Sequence, residues 1–143
     1  MEGPERLTVL VDTGPLVAAV SRADAWHDRV AAWWSANREP VFIPVTVLPE
    51  AAYLIGTRLG AAHETAFARS IASGEVEVGA LDEADLERAA DLMATYQDLP
   101  LGLVDASIVA MAERLDVVTI LTTDRRHFGV VRPAHCERLR LVP

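Results

Sequence analysis

An α/β fold, with a central, mostly parallel sheet wrapped on both faces by helices, is the architecture this sequence predicts. Three observations predict it. Short β-branched runs alternate with stretches of helical periodicity along the chain. The runs at 7–11, 41–44 and 117–121 are apolar or nearly so throughout, as strands buried on both faces are. Hydrophobic residues make up 51% of the 143, and the mean hydropathy is +0.20, which two covered sheet faces explain. That length fits one domain, 1–143.

Each element can be justified in order. The opening Met1-Glu2-Gly3-Pro4-Glu5-Arg6 carries two acids and leads into no long apolar core, so it does not read as a secretory signal. Leu7 to Val11 forms the first strand, and Asp12-Thr13-Gly14-Pro15 stops it. Pro15 suits the first turn of a short helix over 16–20. A second helix is expected over 24–36, where Trp26, Val30 and Trp33 fall at i, i+4, i+7. That spacing reads as core or dimer packing rather than a base-stacking platform. After the strand at 41–44, Thr46 offers a helix cap, with Pro49 and Glu50 in the first turn. Val47, Ala51, Leu54 or Ile55, and Leu59 make the inner stripe of that helix. Gly60 breaks it, and 61–72 is helical again. Glu75-Val76-Glu77-Val78 alternates charge with valine, as a protected edge strand does. Asp82 starts a helix reaching Thr95, and 97–102 is a loop. Val104, Ile108, Met111 and Leu115 mark a strongly periodic helix. The strand at 117–121 is central, 125–128 turns away from it, and 139–141 reads as a last strand. The stretch 129–137 carries little pattern.

Composition removes several function classes. All 13 cationic side chains are arginine, and lysine is absent. A Walker phosphate loop, Schiff-base chemistry and a receiver domain each need a lysine. No Gly-Xaa-Ser-Xaa-Gly elbow supports a serine hydrolase. Cys136 is the single cysteine, so it forms no internal disulfide or thiolate cage and reads as a passive thiol. No apolar run approaches the ~18 residues of a membrane span, and the cytoplasm is the expected compartment. The net charge of −8 is uneven: residues 125–143 hold five Arg and one Glu, whereas 1–124 hold eight Arg and 20 acids. Such acidity opposes non-specific adhesion to nucleic acid but leaves room for a metal cluster that needs carboxylates.

Four acids carry the chemistry. In an open parallel sheet, ligands bind beyond the carboxyl ends of the strands. Asp12 follows the first strand, Asp124 follows the strand at 117–121, and Glu50 begins the helix after the strand at 41–44. Asp105 lies in the first turn of the helix feeding the strand at 117–121. Its helical position places it about 60° from the apolar stripe, as a half-buried acid that needs a cationic partner. Each acid alone also suits a helix start through the dipole or a local cap. Together on one rim they read as a metal site. Oxygen ligands alone select a hard cation, Mg2+ or Mn2+, which activates water against a phosphodiester. Thr13 and Thr122 are either polar supports of that site or ordinary turn residues. His27, His63, His127 and His135 show no metal-like spacing and read as surface or structural residues.

The segments "LVDTGPLVAA", "PVTVLPEAAYLI", "LPLGLVDASIVAMAERL" and "ILTTDRRHF" are similar, in order and spacing, to the blocks of PIN domains. The chain resembles most the VapC type, the toxin half of bacterial type II toxin–antitoxin pairs, from about Thr8 to Phe128. The resemblance implies a PIN-like three-layer sandwich and an acidic quartet at Asp12, Glu50, Asp105 and Asp124. It implies Mg2+- or Mn2+-dependent endoribonuclease activity on single-stranded or loop RNA, leaving 5′-phosphate and 3′-hydroxyl ends. It further implies a homodimer and a cognate antitoxin that blocks the acidic pocket. Asp98 is either a fifth acid of the rim or a loop cap. Arg125, Arg126 and Arg132 are either RNA phosphate contacts or solvated and carboxylate-paired surface residues. Two other readings use the same residues: a non-catalytic binding module that keeps the fold, and a metal phosphohydrolase acting on small esters. The intact quartet speaks against the first, and the lack of an Asp-Xaa-Asp pair against the second.

Overall fold

A computed structural model describes residues 8–143, so the expectations for Met1 to Leu7 lie outside the described residues. Five strands and seven helices follow one another as β1 (Val9–Val11), α1 (Thr13–Val20), α2 (His27–Ala36), β2 (Val41–Pro44), α3 (Val47–Leu59), α4 (Ala61–Ala72), β3 (Glu77–Gly79), α5 (Glu83–Thr95), α6 (Leu103–Leu115), β4 (Thr119–Leu121), α7 (Arg125–Val130) and β5 (Arg140–Val142). The sheet order is β3-β2-β1-β4-β5, and every pairing is parallel. The expected sandwich is therefore present, with a wholly parallel sheet.

Strand order explains the layers. From β1 the chain steps outward to β2 and then β3, so right-handed crossovers put α1–α4 on one face. From β3 it returns past β1 to β4 and on to β5, which puts α5–α7 on the other. Val9, Leu10, Val11, Ile120 and Leu121 are wholly buried between these layers. This is why β1 and β4 read as unbroken apolar runs. The order in which strands are added reverses between β1 and β4, the switch point at which parallel sheets open a crevice. Their Val9↔Thr119 register brings the ends of both strands level.

Several boundaries differ from expectation for identifiable reasons. The second helix begins at His27 because Asp24 Oδ1 accepts from the Trp26 amide at 2.8 Å, bending the chain first. Thr46 does not cap α3; its hydroxyl instead pairs with Ser107 Oγ at 2.8 Å. β4 starts at Thr119 because Asp116 takes the left-handed conformation (φ 55°) and the Val117 amide still closes on the Ala112 carbonyl. The edge strand β3 is shifted to Glu77–Gly79, where the ring of Phe42 occupies the space a Cβ on Gly79 would take. The turn after Asp124 is a short helix, and β5 covers Arg140–Val142.

A short connection folds α5 back along α6. Arg88 donates to Glu113 Oε1 at 2.7 Å and to Oε2 at 3.0 Å, and Arg114 Nε donates to Asp85 Oδ1 at 2.9 Å. Asp82 and Asp85 form a reciprocal capping box at the start of α5. These bonds brace the helix whose other end carries Asp105. No helix among the described residues is long and apolar enough to cross a membrane.

Candidate active site

Asp12 leaves β1 at the switch point. Its amide donates to the Leu121 carbonyl at 2.9 Å, which joins the ends of β1 and β4. Its carboxylate is 6% exposed and held at both oxygens. Oδ1 accepts from the Thr13 amide at 2.7 Å, and Oδ2 accepts from the Thr122 hydroxyl at 2.8 Å. The same Thr122 oxygen accepts from the Asp124 amide at 2.9 Å, so one hydroxyl couples the two turns. Thr13 contributes its amide, while its buried Oγ1 has no hydrogen-bond partner among the described residues. Gly14 lets these turns approach, because a Cβ there would meet Thr123 Oγ1.

Asp124 caps α7. Its Oδ1 accepts from the amides of Arg126 and His127 at 3.1 and 3.2 Å. Its Oδ2 lies 2.6 Å from His127 Nδ1, and Asp105 Oδ2 lies 3.3 Å from the same nitrogen. Donor atoms of Asp105, Asp124 and His127 all fall within 4.8 Å of one another. Asp12 and Glu50 line the same open cavity of about 550 Å³ without belonging to that tight trio. The Thr46–Ser107 bond ties the start of α3 to the start of α6, which sets Glu50 opposite Asp105.

These carboxylates are short of positive charge. Burial pushes the Asp12 carboxyl up to about 6, against the lowering effect of its bonds from Thr122 and Thr13; Asp124 and Glu50 raise it further. Burial is also the main reason that Asp105 rises to about 7, and the negative charges of Asp12 and Asp124 add to it. His127 works in the opposite direction on Asp105. A site of clustered carboxyl oxygens, partly dry and mutually repelling, suits a hard divalent cation.

The structure brings the four expected acids to one cavity, and it also shows what the sequence did not give away. Asp12 and Asp124 are helix caps and members of the acidic rim at once, so the two roles do not compete. His127 is not a detached surface residue. It follows a capping aspartate by three positions, and helical side chains lean back toward the N-terminus, which aims its ring at Asp124. That spacing was the available signal. Trp26 is not core: it sits before α2 rather than on its stripe, and it lines the cavity mouth. Arg29 stacks on its ring, 3.7 Å from the centroid, and Arg125 stands 6.0 Å from it. Arg58 lines the cavity too, near Asp24 at 3.8 Å. Asp98 is exposed in the α5–α6 connection and is not among the lining residues. Neither the Arg126 nor the Arg132 side chain lines the cavity.

Fold and site together define an α/β protein with an acidic, metal-suited crevice at the switch point of a parallel sheet. The PIN domain family matches residues 9–132. Ribonuclease VapC26 of Mycobacterium tuberculosis (strain ATCC 25618 / H37Rv) is 34% identical over 135 residues, covering 94% of this chain and all of that protein. The chain belongs to the PIN-domain family, in its VapC branch. Solved structures share the fold at lower identity. The M. tuberculosis VapC20 toxin, described as cleaving the sarcin–ricin loop, superposes with a TM-score of 0.78 at 22% identity, over 82% of this chain and 91% of that one. A chain of the DNA-bound VapBC complex of Salmonella typhimurium gives 0.69 at 17% identity, over 94% and 96%.

Proposed function

We propose that this chain is a Mg2+- or Mn2+-dependent endoribonuclease, the toxin of a toxin–antitoxin pair. One observation carries the reading: Asp12 is buried, held by two hydrogen bonds, and faces other acids across a cavity, with no arginine among the described residues bonded to it. A fold that maintains such repulsion needs an external cation to relieve it.

Asp12, Glu50, Asp105 and Asp124 would hold the ion, with Thr13 and Thr122 as supports. The bound ion supplies a water of lowered pKa and neutralises charge on the phosphodiester. The chain does the positioning. Thr122 and the Thr13 amide fix both oxygens of Asp12, and the start of α7 fixes Asp124, so neither carboxylate must reorganise during reaction. Water adds at phosphorus, the bond to the 3′ oxygen breaks, and that oxygen takes a proton, leaving 5′-phosphate and 3′-hydroxyl ends. Arg58 in the cavity lining, with Arg125 and Arg126 outside it, supplies positive charge for RNA phosphates in an otherwise acidic chain. The VapC branch supports an antitoxin partner, a homodimer and a cytoplasmic setting.

Purified protein should cleave single-stranded or loop RNA when Mg2+ or Mn2+ is added and stop when the ion is chelated. Asp12→Asn and Asp105→Asn should each lower the rate on the order of 10³-fold. Undiminished cutting by both variants would overturn the assigned roles.

A further inference from the structure

We propose that His127 is a nitrogen ligand of the metal beside Asp105 and Asp124, and that it biases the site toward Mn2+ over Mg2+. The inference rests on the metal site proposed above and deepens it. His127 Nδ1 lies 2.6 Å from Asp124 Oδ2 and 3.3 Å from Asp105 Oδ2. Adjacent donors around an octahedral ion with bonds of 2.0–2.1 Å stand about 3.0 Å apart. The two observed distances fall on either side of that edge length. With the third separation within 4.8 Å, the nitrogen and the two carboxylates stand within reach of one ion.

The ring is held there by the fold. Phe128, the next residue, is 1% exposed and anchors α7 in the core. Asp124 caps the same helix through the His127 amide, so ligand and neighbour move as one unit. The imidazole lines the cavity and is a quarter exposed, so it is open to an incoming ion. The remaining histidines with a ring bond are committed elsewhere: His27 Nδ1 to the Ala18 carbonyl and His135 Nε2 to the Val117 carbonyl, both at 2.7 Å. An all-oxygen site suits Mg2+, whereas imidazole favours transition metals, and Mn2+ accepts both donor types.

Untagged protein should be loaded with Mn2+ alone and examined by pulsed electron paramagnetic resonance. The wild type should show 14N modulation from a directly bound imidazole, and His127→Ala should lose it. In calorimetric titrations, His127→Ala should weaken Mn2+ binding about 10-fold or more while changing Mg2+ binding far less. His127→Gln keeps a donor for Asp124 but no imidazole, and it should behave like His127→Ala. Thermal melts of both variants verify folding. Bound Mn2+ without 14N modulation would overturn the ligand role but leave the acidic metal site intact. So would equal loss of both ions in His127→Ala with recovery in His127→Gln, which would make the residue a hydrogen-bond donor to Asp124. Failure of the folded wild type to bind Mn2+ would overturn the metal site along with the ligand.

Discussion

Asp12 and Asp85 are both nearly shut away from solvent, at 6% and 2% exposed, yet the fold treats them in opposite ways. At Asp85, burial alone would raise the pKa, but hydrogen bonds from Arg114 and the Asp82 amide, with the guanidinium charge, outweigh it and hold the carboxyl below its usual value. At Asp12 no cation answers, the hydrogen bonds do not compensate, and the carboxyl is pushed up to about 6. Glu113 follows Asp85, held low by Arg88 and the Ala134 amide despite burial. Asp105 follows Asp12. The α5–α6 brace completes its own electrostatics. The crevice leaves its electrostatics incomplete, and that deficit is what a ligand can satisfy.

Three experiments would break or sharpen this contrast. The largest effect is expected from Asp85→Ala, which removes the side-chain half of the capping box that Asp85 supplies and the buried partner of Arg114. It should lower urea-unfolding stability by about 2–3 kcal/mol, reduced from a fully buried pair because Arg114 remains partly solvated. Metal binding by the folded variant should be unchanged. Loss of metal binding there would mean that brace and crevice are not separate systems.

The next effect is a dependence on pH in metal-free protein. Asp12 and Asp105 have folded pKa values above the ordinary 3.8, so the native state holds protons that the unfolded chain releases. Their contribution is full below about pH 4 and is lost as pH rises through 6 to 7. Asp85 and Glu113 act with the opposite sign, losing their contribution as pH falls through their depressed values. Unfolding midpoints measured from pH 4 to pH 8 should show the decline, and the Asp12→Asn, Asp105→Asn double variant should flatten it. An equally steep decline in that variant would remove the basis of the comparison.

The smallest effect is a gain. Asp105→Asn relieves repulsion, so at pH 8 without metal it should stabilise the fold by about 1 kcal/mol. Added Mn2+ should reverse the ranking, because only the wild type keeps the full donor set. A variant less stable than wild type under metal-free conditions would show that Asp105 is already satisfied by His127.

Much of this molecule was legible before the structure. β1 and β4 announced themselves because strands covered on both faces are apolar at nearly every position, and the turns after them then fixed Asp12 and Asp124 on one edge. Asp105 was legible from helix phase. Trp26 was not, because a single hydrogen bond from its own amide to Asp24 removes it from the helix whose spacing it matches. Thr46 was misread because capping is a local rule, whereas its hydroxyl answers to Ser107, 61 residues away. The contact of His127 with Asp124 is invisible to spacing among histidines, because it depends on a histidine three positions after a capping acid. The arginines around Trp26 carry no periodic signal, and only tertiary proximity assembles them.

The pairing of β1 with β4 has a consequence in time. Asp12 directly follows the first described strand, and Thr122, which fixes it, lies 110 residues later. Contacts between such distant segments form late, after the intervening chain has condensed. A growing polypeptide on the ribosome therefore has no crevice until the strand preceding Asp124 emerges and slots in beside β1. A copy that stops before Thr122 lacks the paired strand ends on which the crevice is built.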